Sequence, residues 1–357
     1  MEGADMLTVG VIGATGYAGA ELMRLLCRHP QVDQILAGSH SYVGASYVEV
    51  YPNFAKIYEM PCQESDISEF AKRCDVVFVS LPHGIASHQV TRQVLEQCVV
   101  IDLGADFRIK DAHIYANWYH TEHGNPALLD TAVYGLSELA REEVRSSRLI
   151  ANPGCYTTCS ILTLHPLLAE GLIQSETIII DAKSGVSGAG RSEKLGSLFC
   201  ETNESIKAYG VTTHRHTPEI EQQLSLAASK GTSNKGITVS FTPHLVPMNR
   251  GIFATTYASL VPDTTQDAIV AAYVKYYGDE PFIRVLPYGK FPETRWVKGS
   301  NYCDIGFTID ERTNRIVACG AIDNLVKGAA GQAVQNMNIV FELDEYLGLD
   351  ELPAFPL

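Results

Sequence analysis

The run Leu7-Thr8-Val9-Gly10-Val11-Ile12 passes without a break into Gly13-Ala14-Thr15-Gly16-Tyr17-Ala18-Gly19, and no other stretch constrains the fold as tightly. The first segment reads as a buried strand. The residues after the glycines place Leu22, Leu25 and Leu26 at helical spacing until His29-Pro30 ends the helix. Strand, glycine-rich turn and helix in this order form a phosphate-binding corner: glycine lets the backbone approach a pyrophosphate, and the helix start offers it unpaired N–H groups. Any tight strand-to-helix turn uses glycines, so the motif draws its weight from the alternation of elements downstream of it. Strands are expected from Val32 to Ala37, Asp75 to Ser80 and Val99 to Leu103, with a helix near Ile85 to Gln97. This alternation predicts an α/β Rossmann dinucleotide-binding domain over residues 1–152, its phosphate site built by Gly13, Thr15, Gly16, Tyr17, Ala18 and Gly19.

Beyond the second expected strand, NAD-binding folds carry Asp or Glu for the ribose hydroxyls, whereas this chain reads Gly38-Ser39-His40-Ser41. Two hydroxyls and an imidazole suit a 2′-phosphate and favour NADP(H); a polar loop without a ligand is the other reading. Leu81-Pro82-His83-Gly84 comes after a strand at its carboxyl end, where open α/β sheets bind ligands, so Pro82 counts with the cofactor side. The stretch from Asp102 to Arg108 brings an arginine to another strand end. Arg108 is either an anion-binding cation or a surface residue paired with Asp106.

Asn152-Pro153-Gly154-Cys155-Tyr156 separates a short apolar run, Leu149-Ile150-Ala151, from a segment with helical spacing through Ile161, Leu162, Leu164, Leu167 and Leu168. Cys155 is therefore expected at a helix N-terminus, where free N–H groups and the positive end of the dipole favour a thiolate and can hold an oxyanion. A cysteine is more often a small buried apolar residue, and its place at the helix start is what singles this one out. Strands expected from Thr177 to Ala182, Ile237 to Phe241, Ile252 to Val261 and Ile305 to Ile309 then describe an α+β domain with a largely antiparallel sheet. It would span residues 153–322 and serve substrate binding and dimerisation, with residues 323–357 returning as a helix to the Rossmann domain.

Within that second part, Lys183-Ser184-Gly185-Val186-Ser187-Gly188-Ala189-Gly190-Arg191 is a small-residue loop between two cations that suit a carboxylate or phosphate. A plain flexible loop is the alternative. His214 and His216 lie in a segment read as extended, which would point them to opposite sides and leave one to face the thiol as acid and base. No further ligands stand nearby at suitable spacing, so no metal is expected. Arg250 adds a cation in what is otherwise an ordinary turn. The stretch from Ala321 to Gln335 reads as a small-residue helix packed closely on the first domain; packing accounts for its glycines and alanines but not for Asn324.

At 357 residues the chain has room for two domains. No apolar run approaches the ~18 residues of a membrane helix, and the acidic start Met1-Glu2-Gly3-Ala4-Asp5 resembles neither a secretory signal nor a transit peptide, so a cytoplasmic location with no membrane partner is expected. A net charge of −14 without a dense Lys/Arg run argues against nucleic acid. Nine cysteines with no Cys-x-x-Cys pair fit neither a disulfide framework nor a zinc site, and Cys159, one turn beyond Cys155, reads as packing.

Together these segments resemble the N-acetyl-γ-glutamyl-phosphate reductase family of the aspartate-semialdehyde dehydrogenase superfamily. The resemblance spans nearly the whole chain and rests on the Gly13 to Gly19 turn, Leu81-Pro82-His83-Gly84, Ala105-Asp106-Phe107-Arg108, Asn152-Pro153-Gly154-Cys155-Tyr156, the Lys183 to Arg191 loop, His214-Arg215-His216-Thr217-Pro218-Glu219 and Asp323-Asn324-Leu325. It implies an oxidoreductase that uses NADPH to reduce N-acetyl-γ-glutamyl phosphate to N-acetyl-glutamate 5-semialdehyde, with release of inorganic phosphate, in arginine biosynthesis. It also implies a thioacyl intermediate on Cys155, with His214 or His216 managing the proton and Ser184, Gly185 and Asn324 near the nicotinamide. Arg108 would lie beside the departing phosphate, with Asn152, Lys183, Arg191 and Arg250 toward the substrate, in a homodimer or homotetramer. One departure stands out: members commonly carry Ser-Arg-Ser where this chain has Ser39-His40-Ser41. Aspartate-semialdehyde dehydrogenase itself is a rival reading, although its Val-Pro motif usually runs on to Gly-His whereas this chain has Arg250-Gly251-Ile252. A carrier-protein-linked reductase of lysine or arginine synthesis is a second rival. A Cys-His hydrolase or acyltransferase and a non-catalytic NADP sensor are readings of other classes.

Overall fold

The strand-forming runs of Val, Ile and Leu sort into two sheets. The computed structural model describes residues 6–229, 236–353 and 355. They divide into two compact units, one taking the chain up to Pro153 together with Ala329–Asp350, the other Gly154–Gly328 and the residues from Glu351 onward.

The first unit holds β1 (Leu7–Ile12), β2 (Val32–Gly38), β3 (Val76–Val79), β4 (Val99–Asp102), β5 (Val133–Tyr134) and β6 (Leu149–Ala151), in the order β2-β1-β3-β4-β6-β5. Every pairing is parallel. All residues of β3, β4 and β6 are buried, as a parallel sheet covered on both faces requires, which is why these strands read as unbroken apolar runs. The strand order reverses between β1 and β3, whose carboxyl ends carry the Gly13 turn and the loop from Ser80 to Gly84. The single helix expected near Ile85 to Gln97 is two short ones, Ala86–Gln89 and Arg92–Gln97, because the Thr91 side chain caps the second by accepting the Val94 N–H. The helix expected from Ala321 also starts later: β13 occupies the chain to Ile322, a π-helical turn spans Val326–Ala330, and the α-helix is Gly331–Val340, which belongs to the first unit.

The second unit holds β7 (Ile179–Ser184), β8 (Lys207–Ala208), β9 (Ser240–Leu245), β10 (Ile252–Ser259), β11 (Ile283–Val285), β12 (Cys303–Asp310) and β13 (Arg315–Ile322), in the order β11-β12-β13-β10-β7-β9-β8. Four pairings are antiparallel and two, β11 with β12 and β7 with β9, are parallel. β7 and β10 alternate strictly, with Ile180, Ala182, Ser184, Ile252, Ala254 and Thr256 buried and the residues between them partly exposed. Against the sheet packs the helix Cys155–Ala169, which has no charged residue and buries 14 of its 15 side chains. The helices Thr217–Ser229 and Gln266–Tyr277 flank it. Among the described residues no helix is long and apolar enough to cross a membrane.

Candidate active site

The end of β6 determines where the nucleophile stands. Pro153 cannot continue the ladder, Gly154 comes next in extended conformation as the N-cap, and Cys155 is the first helical residue. It is the one residue of its helix that is not buried. The Gly154 N–H donates to Glu219 Oε1 at 2.9 Å, and the Thr157 hydroxyl lies 2.8 Å from the same oxygen. Glu219 is fully buried and comes from the helix Thr217–Ser229. On another side the π-helical turn closes with the Gly328 N–H donating to Asp323 O at 2.9 Å. A Cβ on Gly328 would stand 2.8 Å from Cys155 Cβ and 3.1 Å from its Cα, so only glycine fits there.

The two histidines correct the expectation of an extended segment. Residues 211–216 form turns that lead into the helix at Thr217, and both imidazoles pack on the same ring, Tyr156, with centroids 5.6 Å away for His214 and 6.0 Å for His216. The His216 N–H donates to His214 Nδ1 at 3.2 Å. Tyr209 and Phe241 complete an edge-on cage around His214, and burial, with the Arg215 charge second, pulls its pKa from 6.5 down to about 4. The Tyr209 hydroxyl donates to the Tyr156 hydroxyl at 3.0 Å, which donates to His244 O at 3.2 Å. Burial raises both phenols, Tyr209 to about 12.

Most expected cations have partners of their own. Arg250 holds buried Asp323 through Nε at 3.0 Å and a terminal nitrogen at 3.1 Å, and Lys183 lies 2.8 Å from Asp181 on the strand face away from Ser184. Arg191 is exposed on its loop. Asn324 spends its amide on shaping the Lys183 to Arg191 loop: its oxygen accepts the Gly251 N–H at 2.7 Å and its nitrogen donates to the Ser187 hydroxyl at 3.0 Å. The Ser184 hydroxyl donates to Gly185 O at 2.9 Å, and both residues are buried.

In the first unit, Gly13 takes φ +79°, and a Cβ there would lie 2.3 Å from Ser80 O, so the turn can be built only with glycine. The Tyr47 hydroxyl donates to Ala14 O at 2.9 Å and the Tyr51 hydroxyl to Thr15 O at 3.0 Å, bracing the turn from behind. The helix Tyr17–Leu26 begins at Gly16 with no acidic residue in its first turn, so nothing there opposes an anion. Thr15 and Ser39 share a hydroxyl contact of 2.9 Å, with Ser39 buried and His40 and Ser41 exposed beyond it. These residues fit a dinucleotide whose pyrophosphate lies on the helix start. Pro82 is exposed on the loop after β3.

Arg108 is not the surface residue of one reading offered by the sequence. It is 6% exposed, and it donates to Asn152 O at 2.8 Å and Leu103 O at 2.7 Å, which makes it a brace between two strand ends. Asp106 instead accepts the Gly84 and Ser87 N–H groups at 2.6 and 2.9 Å and the Tyr115 hydroxyl at 2.7 Å. Asn152 is buried, donating to Ala329 O at 3.0 Å and accepting from Asn336 at 3.2 Å, so its amide supports the strand end rather than facing a substrate. Asp102 is fully buried with Oδ1 accepting the Gly104 N–H at 2.9 Å; burial, then the Asp106 charge, raises its pKa to about 7.

Two family models cover most of the chain, "Semialdehyde dehydrogenase, NAD binding domain" over residues 8–147 and "Semialdehyde dehydrogenase, dimerisation domain" over residues 155–324. Among similar proteins, the N-acetyl-gamma-glutamyl-phosphate reductase of Lachnospira eligens is 54% identical over 352 residues, covering 98% of this chain and all of the relative. That of Campylobacter jejuni is 51% identical over 343 residues, covering 96% and 98%. The chain belongs to the N-acetyl-gamma-glutamyl-phosphate reductase family. It therefore carries a nicotinamide-dinucleotide-binding domain and a dimerisation domain. Its fold is shared with aspartate semialdehyde dehydrogenase II from Vibrio cholerae, at TM-score 0.69 and 18% identity over 95% of this chain and 99% of that one. It is shared as well with the NADP complex of the enzyme from Candida albicans, at TM-score 0.65 and 16% identity over 94% and 98%.

In this family member the sequence pointed to Cys155 but not to the groups that hold it. Glu219 sits at the third position of its own helix, where it reads as a cap for that helix, whereas it reaches across to another. Gly328 has no signal apart from lying among small residues. Tyr47 and Tyr51, spaced four apart, carry a helical-face signal but none that ties them to the glycine turn.

Proposed function

We propose that this chain catalyses the NADPH-dependent reductive dephosphorylation of N-acetyl-γ-glutamyl phosphate to N-acetyl-glutamate 5-semialdehyde, in the cytoplasm, as a homodimer or homotetramer of arginine biosynthesis. The observation that carries the reaction class is Cys155, the single partly exposed residue of an otherwise buried helix, placed at its first position. The substrate is inferred from the names of relatives more than half identical from end to end.

In the proposed mechanism the Cys155 thiolate attacks the γ-acyl carbon, the C–O bond to phosphate breaks, and the enzyme holds a thioester. N–H groups of the helix start stabilise the oxyanion on the way. The Gly13 to Gly19 turn would hold NADPH, with Ser39, His40 and Ser41 toward its 2′-phosphate, and the bound cofactor would supply the hydride needed to reduce the thioester. The hemithioacetal on Cys155 then collapses, and His216, whose backbone N–H fixes the neighbouring His214 ring through Nδ1, manages the proton of the departing aldehyde. Arg191, exposed on the small-residue loop, is the cation we assign to the substrate carboxylate.

The test monitors NADP reduction in the reverse direction with N-acetyl-glutamate semialdehyde or aspartate semialdehyde, with and without phosphate. Phosphate-dependent turnover of the N-acetylated aldehyde alone is expected, and Cys155→Ser should abolish it while cofactor binding is kept. Turnover by that variant, or turnover only with aspartate semialdehyde, would refute the assignment.

A further inference from the structure

The carboxylate at the first turn of the Cys155 helix arrives from 65 residues further along the chain. Glu219 has no exposed surface, and its Oε1 contacts two groups that bracket the thiol, the Gly154 N–H and the Thr157 hydroxyl, at 2.9 and 2.8 Å. The Thr157 hydroxyl also lies 2.5 Å from Gly154 O, so carboxylate, hydroxyl and carbonyl lock the turn as one unit. We propose that Glu219 is a positioning residue for Cys155: it fixes the first turn of the helix from outside and, through its charge, sets the pH at which the thiol ionises.

A helix start favours a thiolate through its free N–H groups and the positive end of its dipole. Glu219 occupies one of those N–H groups and brings a like charge to the same turn, and both effects oppose thiolate formation. A thiol held at higher pKa attacks harder once ionised, so the carboxylate trades thiolate population for nucleophilicity.

Other ionisable groups face this turn. Tyr156, Tyr209 and Cys159 interact electrostatically with Cys155, and burial raises each of them. His214 and His216 pack on the Tyr156 ring, with Arg215 between them in sequence. Lys327 is buried on the turn that carries Gly328, and Arg250 is engaged with Asp323. The Lys183 and Asp181 pair lies on the other face of the sheet. Glu219 is distinguished from these groups by bonding the turn's own donors.

The consequence for turnover rests on the acyl-phosphate reaction proposed for this chain, but the chemical readout does not. The rate of iodoacetamide alkylation at Cys155 is measured against pH in the full-length protein, with the modified peptide quantified by mass spectrometry to separate it from the other cysteines. Glu219→Gln keeps an acceptor oxygen and removes the charge, so the alkylation midpoint should fall by about one pH unit. Glu219→Ala removes charge and acceptor together; its midpoint should fall at least as far and its kcat should drop at least about tenfold with KM little changed. Should Glu219→Gln fail to fold, Glu219→Asp, which draws the charge back by one methylene, should shift the midpoint down by less. A midpoint unchanged or raised in whichever folded variant is measured overturns the proposal. If wild-type protein shows no phosphate-dependent NADP reduction, the reaction reading fails while the alkylation profiles still decide the role of Glu219.

Discussion

Replacing Gly328 by alanine isolates how closely the nucleophile is held. The added Cβ would lie 2.8 Å from Cys155 Cβ and 3.1 Å from Cys155 Cα, against the ~3.5 Å that two carbons need, so a shift of about 0.7 Å must be absorbed. Neither neighbouring atom is the far end of a flexible side chain. Both move only if the first turn of the helix moves, and that turn is anchored by Glu219 and Thr157. Overpacking of this kind costs about 1–3 kcal/mol of stability, and a displacement near 1 Å at a reacting group costs about 100-fold in rate. Gly328→Ala is therefore expected to lower kcat by about 30- to 100-fold in the phosphate-dependent reduction of NADP, with a lowered melting temperature. Cofactor affinity should be unchanged, because the Gly13 turn belongs to the other unit. A folded variant with kcat within about threefold of wild type would refute the reasoning.

His214, lowered to about 4 by burial, binds a proton in the unfolded chain below pH ~6.5 that it refuses when folded, so its share of stability is complete above that pH and is lost as pH falls toward 4. His214→Asn should flatten the melting temperature between pH 4 and 6.5, and parallel curves for the two proteins would exclude the assignment. Asp102 has the opposite sign: raised to about 7 by burial, it is protonated when folded and ionised when unfolded between pH ~4 and 7, so stability declines as pH rises through that window. Asp102→Asn keeps the acceptor for Gly104 and should gain on wild type from about pH 5 to about pH 8 in denaturant melts; an equal difference at both pH values counts against it. His40→Arg places a permanent cation on the exposed loop and should raise the NADP over NAD ratio of kcat/KM by about tenfold, whereas an unchanged ratio would move the 2′-phosphate site elsewhere.

The parts of the fold legible in sequence are those whose pattern is local. β1 and β6 begin and end where their apolar runs do, because a covered parallel sheet selects such residues at every position. β5, β8 and β11 are two or three residues long and exist only by pairing with a neighbour, so no internal pattern announces them. β13, Arg315–Ile322, was hidden by its glycine and cysteine, small residues that suit a strand lying under a helix yet carry little strand preference. In the site, Cys155 at a helix start was readable from Asn152-Pro153-Gly154 and the spacing beyond. The cations were not: a charge is visible in sequence but its partner is not, and Arg108 finds its carbonyl 44 residues away while Arg250 finds Asp323 across 73. The histidines were read with a strand's periodicity when the segment is a turn into a helix, which alone reverses where both rings point.

The helix Cys155–Ala169 exposes nothing but the residue that reacts. Local fraying is confined to elements with solvent-facing bonds and sparse packing, and a segment enclosed on all sides opens only with the unit that encloses it. Its amide hydrogens should be among the last in the protein to exchange, and the nucleophile it carries should stay correctly placed until the whole unit melts. Loss of the nucleophile's placement on heating should accordingly follow the melting of the second unit rather than precede it.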